Sequence, residues 1–273
     1  MENVLGVMGG MGPQATTLFY EMLIDNTQAE CDQDHINTLI LGHATMPDRT
    51  AAILSGEEEE IHKRLLEDLK FLESYGCKAI AIPCNTSHYF IDKLSHEINV
   101  PIINMVKESA ESAAREARER MIASLAQADM FETGFAHEQI GILATDGTIR
   151  MGLYQKALDK CGVDWYVPDE ETQKLVMYQI YDRIKKGLPA DMQAWRQIEM
   201  AMKAAGCTKV ILACTELSVI NQVEGLSDYY LDAMEVLVNR CIEVMGKSKA
   251  VKTATADQRW EMFNEFLQGG GDW

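Results

Sequence analysis

The sequence predicts an α/β protein of two pseudo-symmetric, doubly wound domains, each with a four-stranded parallel sheet. Three observations support this fold class. Short apolar runs alternate with helical patterns along the chain, as is typical of parallel sheets with helices on their faces. The runs form two sets of four, and the two sets resemble each other in sequence. A repeat on this scale indicates an internal duplication.

The predicted strands are the runs rich in Val, Ile, Leu and Ala that end at Gly, Pro or polar residues. They cover residues 4–8, 37–41, 79–82, 101–103, 139–143, 164–167, 209–213 and 229–231. Apolar residues at helical spacing, such as Ile61, Leu65 and Leu69, predict amphipathic helices between them. The charged segment 107–120 predicts a helix that crosses from one half to the other, followed by a looser segment, 127–137.

The duplication is clearest where residues 76–86 align without a gap with residues 206–216, matching the glycine and both cysteines. It predicts an N-terminal α/β domain over 1–104 and a C-terminal α/β domain over 105–225. The last strand and helix, 226–245, follow, and this helix could pack back on the first domain. Residues 246–273 form an extension in which Trp260, Phe263 and Phe266 have near-helical spacing.

Composition limits the classes of partner. The chain has 273 residues with 42 acidic and 25 basic side chains, a formal charge of −17. Such a charge disfavours nucleic acids and anionic membranes. We see neither a secretion signal nor an apolar run of about 18 residues that could span a bilayer. Seven cysteines, an odd number, indicate reduced thiols and hence a cytoplasmic protein.

Polar and thiol side chains follow the predicted strands. Ligands of open parallel sheets bind beyond the carboxyl ends of the strands, so we expect the active site in the cleft between the domains. Cys84 and Cys214 end equivalent strands and precede residues that suit a helix start. A helix N-terminus lowers the pKa of a thiol, so we expect both sulfurs to favour the thiolate. Single cysteines of this kind are more often buried small hydrophobes, but the duplication favours function here.

Two thiols on opposite sides of a cleft suit a reaction in which a proton leaves one face of a carbon and returns to the other. We therefore predict racemisation or epimerisation, with the hydroxyls of Thr86 and Thr215 helping to stabilise the carbanion. The remaining cysteines are interpreted as structural: Cys31, Cys77, Cys161, Cys207 and Cys241. Cys77 and Cys207 begin the strands that Cys84 and Cys214 end, too far away for a shared zinc site. We predict no metal.

The glycine-rich segment that follows the first strand formally fits a dinucleotide fingerprint, but the second strand ends in Gly42-His43 instead of a ribose-binding acid. We predict no nucleotide. Free N–H groups around Met11 and Gly12 are expected to hold a small anion such as a carboxylate, although a plain tight turn is an equal alternative.

Five motifs resemble the aspartate/glutamate racemase family, over residues 4 to about 240. They are Gly-Gly-Met-Gly-Pro-x-Ala-Thr, Met-Pro-Asp-Arg-Thr, Pro-Cys-Asn-Thr-Ser-His, Leu-Ala-Thr-Asp-Gly-Thr and Ala-Cys-Thr-Glu-Leu. The resemblance is closest to the aspartate racemase branch, because glutamate racemases typically carry histidine where this chain has Glu216.

The resemblance implies a cofactor-independent amino-acid racemase, most often a homodimer, with Cys84 and Cys214 as the acid–base pair. It implies that Arg49 binds the distal carboxylate of the substrate, a role that a rigid guanidinium fork suits. A second-half lysine reaches the same carboxylate; our alignment favours Lys185 over Lys186. The other expected substrate-binding residues are Met11, Gly12, Asn85, Thr86, Thr148, Thr215 and Glu216.

Other functions fit the same pattern. Similar scaffolds with cysteine acids also isomerise or decarboxylate diacids, since fold does not fix function. A non-catalytic amino-acid sensor with two lobes around a cleft is a further alternative. The paired thiols favour the racemase.

Overall fold

The computed structural model describes residues 2–127 and 138–250 and has eight strands and eleven α-helices in those ranges. The strands are β1 (Leu5–Gly9), β2 (Thr38–Gly42), β3 (Ala79–Ala81), β4 (Ile102–Ile103), β5 (Gln139–Ala144), β6 (Asp164–Tyr166), β7 (Lys209–Ala213) and β8 (Tyr230–Asp232). All eight predicted strands are present, with ends shifted by one residue at most. The predicted segment 127–137 falls almost wholly outside the described residues, as does the extension beyond Ala250.

The helices alternate with the strands, as the sequence pattern predicts. They are α1 (Pro13–Asn26), α2 (Arg49–Ser55), α3 (Glu59–Tyr75), α4 (Ile91–Leu94), α5 (Met105–Gln127), α6 (Asp146–Arg150), α7 (Leu153–Cys161), α8 (Glu170–Met177), α9 (Met192–Ala204), α10 (Thr215–Glu224) and α11 (Ala233–Val244). None of the helices within the described ranges is long and apolar enough to cross a membrane.

The two halves have the same topology. The strand order is β2-β1-β3-β4 in one sheet and β6-β5-β7-β8 in the other, and every pairing within the sheets is parallel. The equivalent strands occupy equivalent positions, so the duplication read from the sequence is confirmed in three dimensions. In each sheet the strand that leads to Cys84 or Cys214, β3 or β7, is an interior strand.

The apolar faces of these elements form two clusters. One covers a single face of the first sheet, where Ile61, Leu65, Leu69 and Leu72 of α3 are fully buried, each contributing about 1.5–3 kcal/mol. The other is continuous through both halves: Phe19 of α1 belongs to the same cluster as the strands of the second sheet. Helix α11 packs against α1 and α5, so the last helix contacts the first half.

The glycine-rich segment forms a tight turn between β1 and α1. Gly10 has φ +88, and a Cβ there would collide with the backbone of His43, so only glycine fits. The Gly10 N–H donates to the Thr16 hydroxyl at 2.8 Å. This N–H is therefore committed within the turn.

Candidate active site

Cys84 and Cys214 lie on the wall of one cavity between the halves. Cys84 follows β3, just before the 3-10 turn Thr86–Phe90, and Cys214 follows β7 and begins α10. Each cysteine is 5% exposed. The cavity is narrow: its volume is about 10 Å³, about the room that one water molecule needs. Its wall consists of Met11, Asp48, Arg49, Thr50, Cys84, Asn85, Thr86, Thr145, Tyr181, Lys185, Cys214, Thr215 and Glu216.

Hydrogen-bond donors and a cation surround the sulfur of Cys84. The Ser87 hydroxyl donates to Sγ at 3.1 Å, and the Arg49 guanidinium lies close enough for Cys84 to raise its pKa. Both neighbours stabilise negative charge on sulfur.

The backbone at Cys84 is fixed by His88. Nδ1 of this histidine lies 2.9 Å from the Cys84 carbonyl oxygen, and Nε2 accepts the backbone N–H of Met105 at 3.0 Å. Burial lowers the pKa of His88 to about 4, against the effect of its backbone hydrogen bonds. The ring is therefore neutral, with its proton on Nδ1, and it ties the end of β3 to the start of α5.

The surroundings of Cys214 oppose negative charge on its sulfur. Burial, followed by the charge and hydrogen bond of Glu216, raises the pKa of Cys214 well above its usual value. Its Sγ donates to Glu216 Oε2 at 3.0 Å. Lys185 and the backbone N–H of Glu216 act in the lowering direction but are outweighed. The expectation that the helix N-terminus makes Cys214 a thiolate is therefore wrong: the field exists, but burial and a carboxylate oppose it.

Arg49 is held in place by backbone carbonyls. Its Nη1 donates to Pro47 O at 2.8 Å and to Met46 O at 3.4 Å, and its Nη2 donates to Met11 O at 3.3 Å. Burial lowers the pKa of Arg49, but Cys84 and Asp48 more than compensate, so the pKa rises. The buried Nε has no hydrogen-bond partner among the described residues. Arg49 is therefore a fixed cation with a free donor at the cavity wall.

Lys185 meets Asp48 from the other half of the molecule. Its Nζ lies 3.4 Å from Asp48 Oδ2 and 3.9 Å from the centre of the Tyr181 ring. The Tyr181 hydroxyl also donates to Asp48, at 3.1 and 3.3 Å. Burial lowers the pKa of Lys185, but Glu216, Tyr181, Cys214 and Asp48 together raise it. Lys185 remains a cation in the wall of the cavity.

The Lys186 side chain does not line the cavity. It pairs with Asp182 at 2.7 Å, and both side chains are exposed. The structure thus favours Lys185 over Lys186, which the sequence alone left open.

Three threonine hydroxyls form a triangle across the two halves. Thr86 lies 3.0 Å from Thr145 and 3.1 Å from Thr148, and Thr145 and Thr148 are 3.1 Å apart. Thr148 is fully buried and is not part of the cavity wall. Its hydroxyl contacts Thr86 and Thr145, and its contact with substrate stays a prediction.

Most of the other expected site residues converge. Met11, Asn85, Thr86, Thr215 and Glu216 all line the cavity. The Thr215 hydroxyl donates to Glu216 Oε2 at 3.4 Å. Gly12 does not line the cavity but lies beside it, because a Cβ there would stand 3.4 Å from Glu216 Oε1. Gly12 leaves room for that carboxylate.

Sequence reasoning missed four residues of the wall: Asp48, Thr50, Thr145 and Tyr181. Asp48 and Thr50 flank Arg49, and Thr145 lies just beyond the end of a predicted strand. The rule that ligands bind beyond the carboxyl ends of parallel strands could therefore have found these three. Tyr181 lies in a π-helical segment, Tyr178–Arg183, and no motif marks it.

No group of three or more His, Cys, Asp or Glu side chains that could hold a metal ion occurs in the described parts of the chain. The chemistry that these residues can perform without a further group is proton transfer at the two sulfurs, beside two cations and two carboxylates.

The fold is that of a racemase family. The chain belongs to the Asp/Glu/hydantoin racemase family, whose sequence profile matches residues 8–241. It is similar to the broad specificity amino-acid racemase RacX of Bacillus subtilis (strain 168), with 26% identity over 227 residues, 80% of this chain and 87% of the relative.

Comparison with solved structures gives the same fold. The Picrophilus torridus aspartate racemase superposes with a TM-score of 0.71 and 26% identity, covering 91% of this chain and 96% of that one. An aspartate racemase homologue from Pyrococcus horikoshii OT3 has a TM-score of 0.65 and 23% identity, covering 89% and 99%, and shares the fold. The predicted two-domain α/β class and the family resemblance are both confirmed.

Proposed function

We propose that this protein is a cofactor-independent amino-acid racemase that acts on aspartate, with Cys84 and Cys214 as its two acid–base residues. The observation that carries the proposal is that both thiols line one small cavity together with Arg49 and Lys185. Membership of the racemase family and similarity to amino-acid and aspartate racemases support the reaction class.

The charges in the cavity wall are complementary to an acidic amino acid. Arg49 and Lys185 are the cations, and Asp48 and Glu216 are the carboxylates. In our proposal the free Nε of Arg49 and the ammonium of Lys185 bind the side-chain carboxylate of aspartate. The Glu216 carboxylate accepts hydrogen bonds from the α-ammonium group. A chain of charge −17 needs such local cations to bind a dicarboxylate.

The two cysteines begin the reaction in different protonation states. The Cys84 thiolate, stabilised by Arg49 and Ser87, removes the α-proton from one face, and the Cys214 thiol donates its proton to the opposite face. The product then leaves a thiol at Cys84 and a thiolate at Cys214. This state, with the proton on Cys84 and the thiolate at Cys214, is the one that acts on the other enantiomer, so the roles of the two cysteines reverse.

The carbanion formed between these steps carries its charge into the α-carboxylate. Asn85, Thr86 and Thr215 line the same wall, and in our proposal their amide and hydroxyl groups donate hydrogen bonds to that group. Donors fixed in a largely buried site lower the barrier more than water does, because they need not reorient during the reaction.

We further propose a homodimer located in the cytoplasm. All seven cysteines are free thiols, which supports a reducing compartment. Exposed apolar side chains on α1 and the edge strand β2, namely Tyr20, Ile24 and Ile40, support an association surface. Light scattering coupled to size exclusion tests the dimer.

The proposal is tested by incubating the purified protein, without added cofactor, with L-aspartate and separately with D-aspartate, and following optical rotation. Rotation should fall to zero from both sides. Release of CO₂ or formation of fumarate would instead identify a decarboxylase or another lyase, and binding without any change in rotation or α-hydrogen exchange would identify a sensor.

A further inference from the structure

Asn85, next to Cys84 in the cavity wall, is held by a residue from the other half of the molecule. The hydroxyl of Tyr154, in α7, donates to Asn85 Oδ1 at 2.5 Å. Tyr154 is fully buried, and Asn85 is 3% exposed. The contact therefore lies in the interior, directly behind the wall of the site.

This bond determines which end of the amide faces the cavity. With Oδ1 turned toward Tyr154, the Nδ2 group is the free end. Nδ2 is buried and has no hydrogen-bond partner among the described residues, an arrangement that proteins avoid unless a ligand completes it. An amide N–H₂ offers two donors and no acceptor, so its natural partner in an acidic amino acid is a carboxylate oxygen.

We infer that Tyr154 is a positioning residue of the racemase reaction, which holds the Asn85 amide with Nδ2 directed at the α-carboxylate of the substrate. This inference rests on the proposed function and assigns a residue that the sequence motifs do not mark.

The hydroxyl of Tyr154 acts as a donor over the whole working pH range. Burial raises the pKa of Tyr154, and the hydrogen bond of the neighbouring Ser109 opposes this only in part. A phenol that stays protonated keeps Oδ1 of Asn85 as its acceptor. Because Tyr154 and Asn85 come from different halves, the donor is aligned only when the halves are docked.

A double-mutant cycle tests the inference. Tyr154→Phe keeps the ring and removes only the hydroxyl, and Asn85→Ala removes the amide. Tyr154→Phe should lower kcat/KM about tenfold, the value of one hydrogen bond to a charged group. In the Asn85→Ala background the same change should lower kcat/KM less than about twofold, because the group that it positions is gone.

Tyr230→Phe is the matched control. Tyr230 is a buried tyrosine of the same half whose hydroxyl donates to Glu199 at 3.0 Å, away from the cavity. Both Phe variants should lose similar amounts of Tm, but Tyr230→Phe should keep kcat/KM. Equal losses of kcat/KM in the two variants would reduce Tyr154 to a structural role.

Further outcomes separate this inference from the proposed function. Additive effects in the cycle would overturn the role of Tyr154 while the enzyme remains a racemase, whereas a wild-type protein without turnover would overturn both. If Tyr154→Phe does not fold, Asn85→Asp serves instead, because Tyr154 can still donate to one carboxylate oxygen. The other oxygen should repel the substrate, so kcat/KM should fall further than in Asn85→Ala; an active Asn85→Asp enzyme would overturn the inference.

Discussion

Replacing Arg49 with methionine removes the guanidinium while keeping a long apolar side chain in the wall of the cavity. Arg49 is 8% exposed, so its charge is poorly screened by solvent. Two of its nitrogens donate to the carbonyls of Met11, Met46 and Pro47, and the buried Nε has no hydrogen-bond partner among the described residues. The substitution should therefore remove both a buried charge and its aligned N–H group.

Truncating one partner of a buried, hydrogen-bonded charge pair costs about 2–5 kcal/mol. We take about 3 kcal/mol, because Lys185 stays in the same wall and retains part of the attraction. At about 1.4 kcal/mol per decade this corresponds to a loss of roughly 150-fold in kcat/KM for aspartate. Arg49→Lys should recover part of the loss, since it restores the charge without the planar fork.

The assay is the initial rate of racemisation of aspartate, followed by optical rotation for wild type and both variants. The matched control is Arg64→Met: Arg64 is a more exposed arginine of the same half that also donates to a carbonyl, that of Thr45 at 3.3 Å. Its kcat/KM should stay within about twofold of wild type. An Arg49→Met enzyme with kcat/KM within threefold of wild type would refute the assignment of Arg49 as the carboxylate partner.

Three other predictions concern titration and the choice of lysine. Glu216→Gln should lower the pKa of Cys214, because it removes the charge and the hydrogen bond that add to the effect of burial; faster iodoacetamide alkylation of Cys214 at fixed pH would show this, and an unchanged rate would contradict it. Lys185→Met should lower kcat/KM at least about tenfold, whereas Lys186→Met should leave it within about twofold; equal effects would remove Lys185 from the site. Because burial lowers the pKa of His88 from 6.5 to about 4, only the unfolded state is protonated between these values, so stability should fall by about 3 kcal/mol as pH drops from 6.5 to 4. Urea denaturation of wild type and His88→Gln measures this, and identical pH dependence in the two would contradict it.

Much of the fold could be predicted because local patterns and topology agree. The interior strands β1, β3, β5 and β7 are short apolar runs that the parallel sheets bury almost completely, and the repeat of residues 76–86 at 206–216 indicated that the halves share one topology. Ligands of parallel sheets bind beyond the carboxyl ends of the strands. This rule drew attention to Cys84, Cys214 and Asn85, which follow strands and line one cavity. Arg49 entered from the family resemblance, and the structure holds it in the same wall.

What the sequence could not predict depends on contacts between distant residues. The pKa of Cys214 is set by burial and by the orientation of the Glu216 carboxylate, neither of which follows from a helix start alone. Lys185 and Lys186 could not be separated because the π-helix Tyr178–Arg183 and the 3-10 turn Ile184–Lys186 break the regular helical phase. Tyr154 and Thr148 act through partners in the other half of the chain, which no local motif reveals.

Hydrogen exchange at the α-carbon of aspartate is the most direct test of two thiols that act from opposite faces. In D₂O, wild-type protein given one enantiomer should form product that carries deuterium at the α-carbon. At early times the remaining substrate should keep ordinary hydrogen there, because different groups remove and deliver the proton. Cys84→Ser and Cys214→Ser should each abolish racemisation. If either serine variant still racemises aspartate at a rate comparable to wild type, the two-thiol mechanism is wrong.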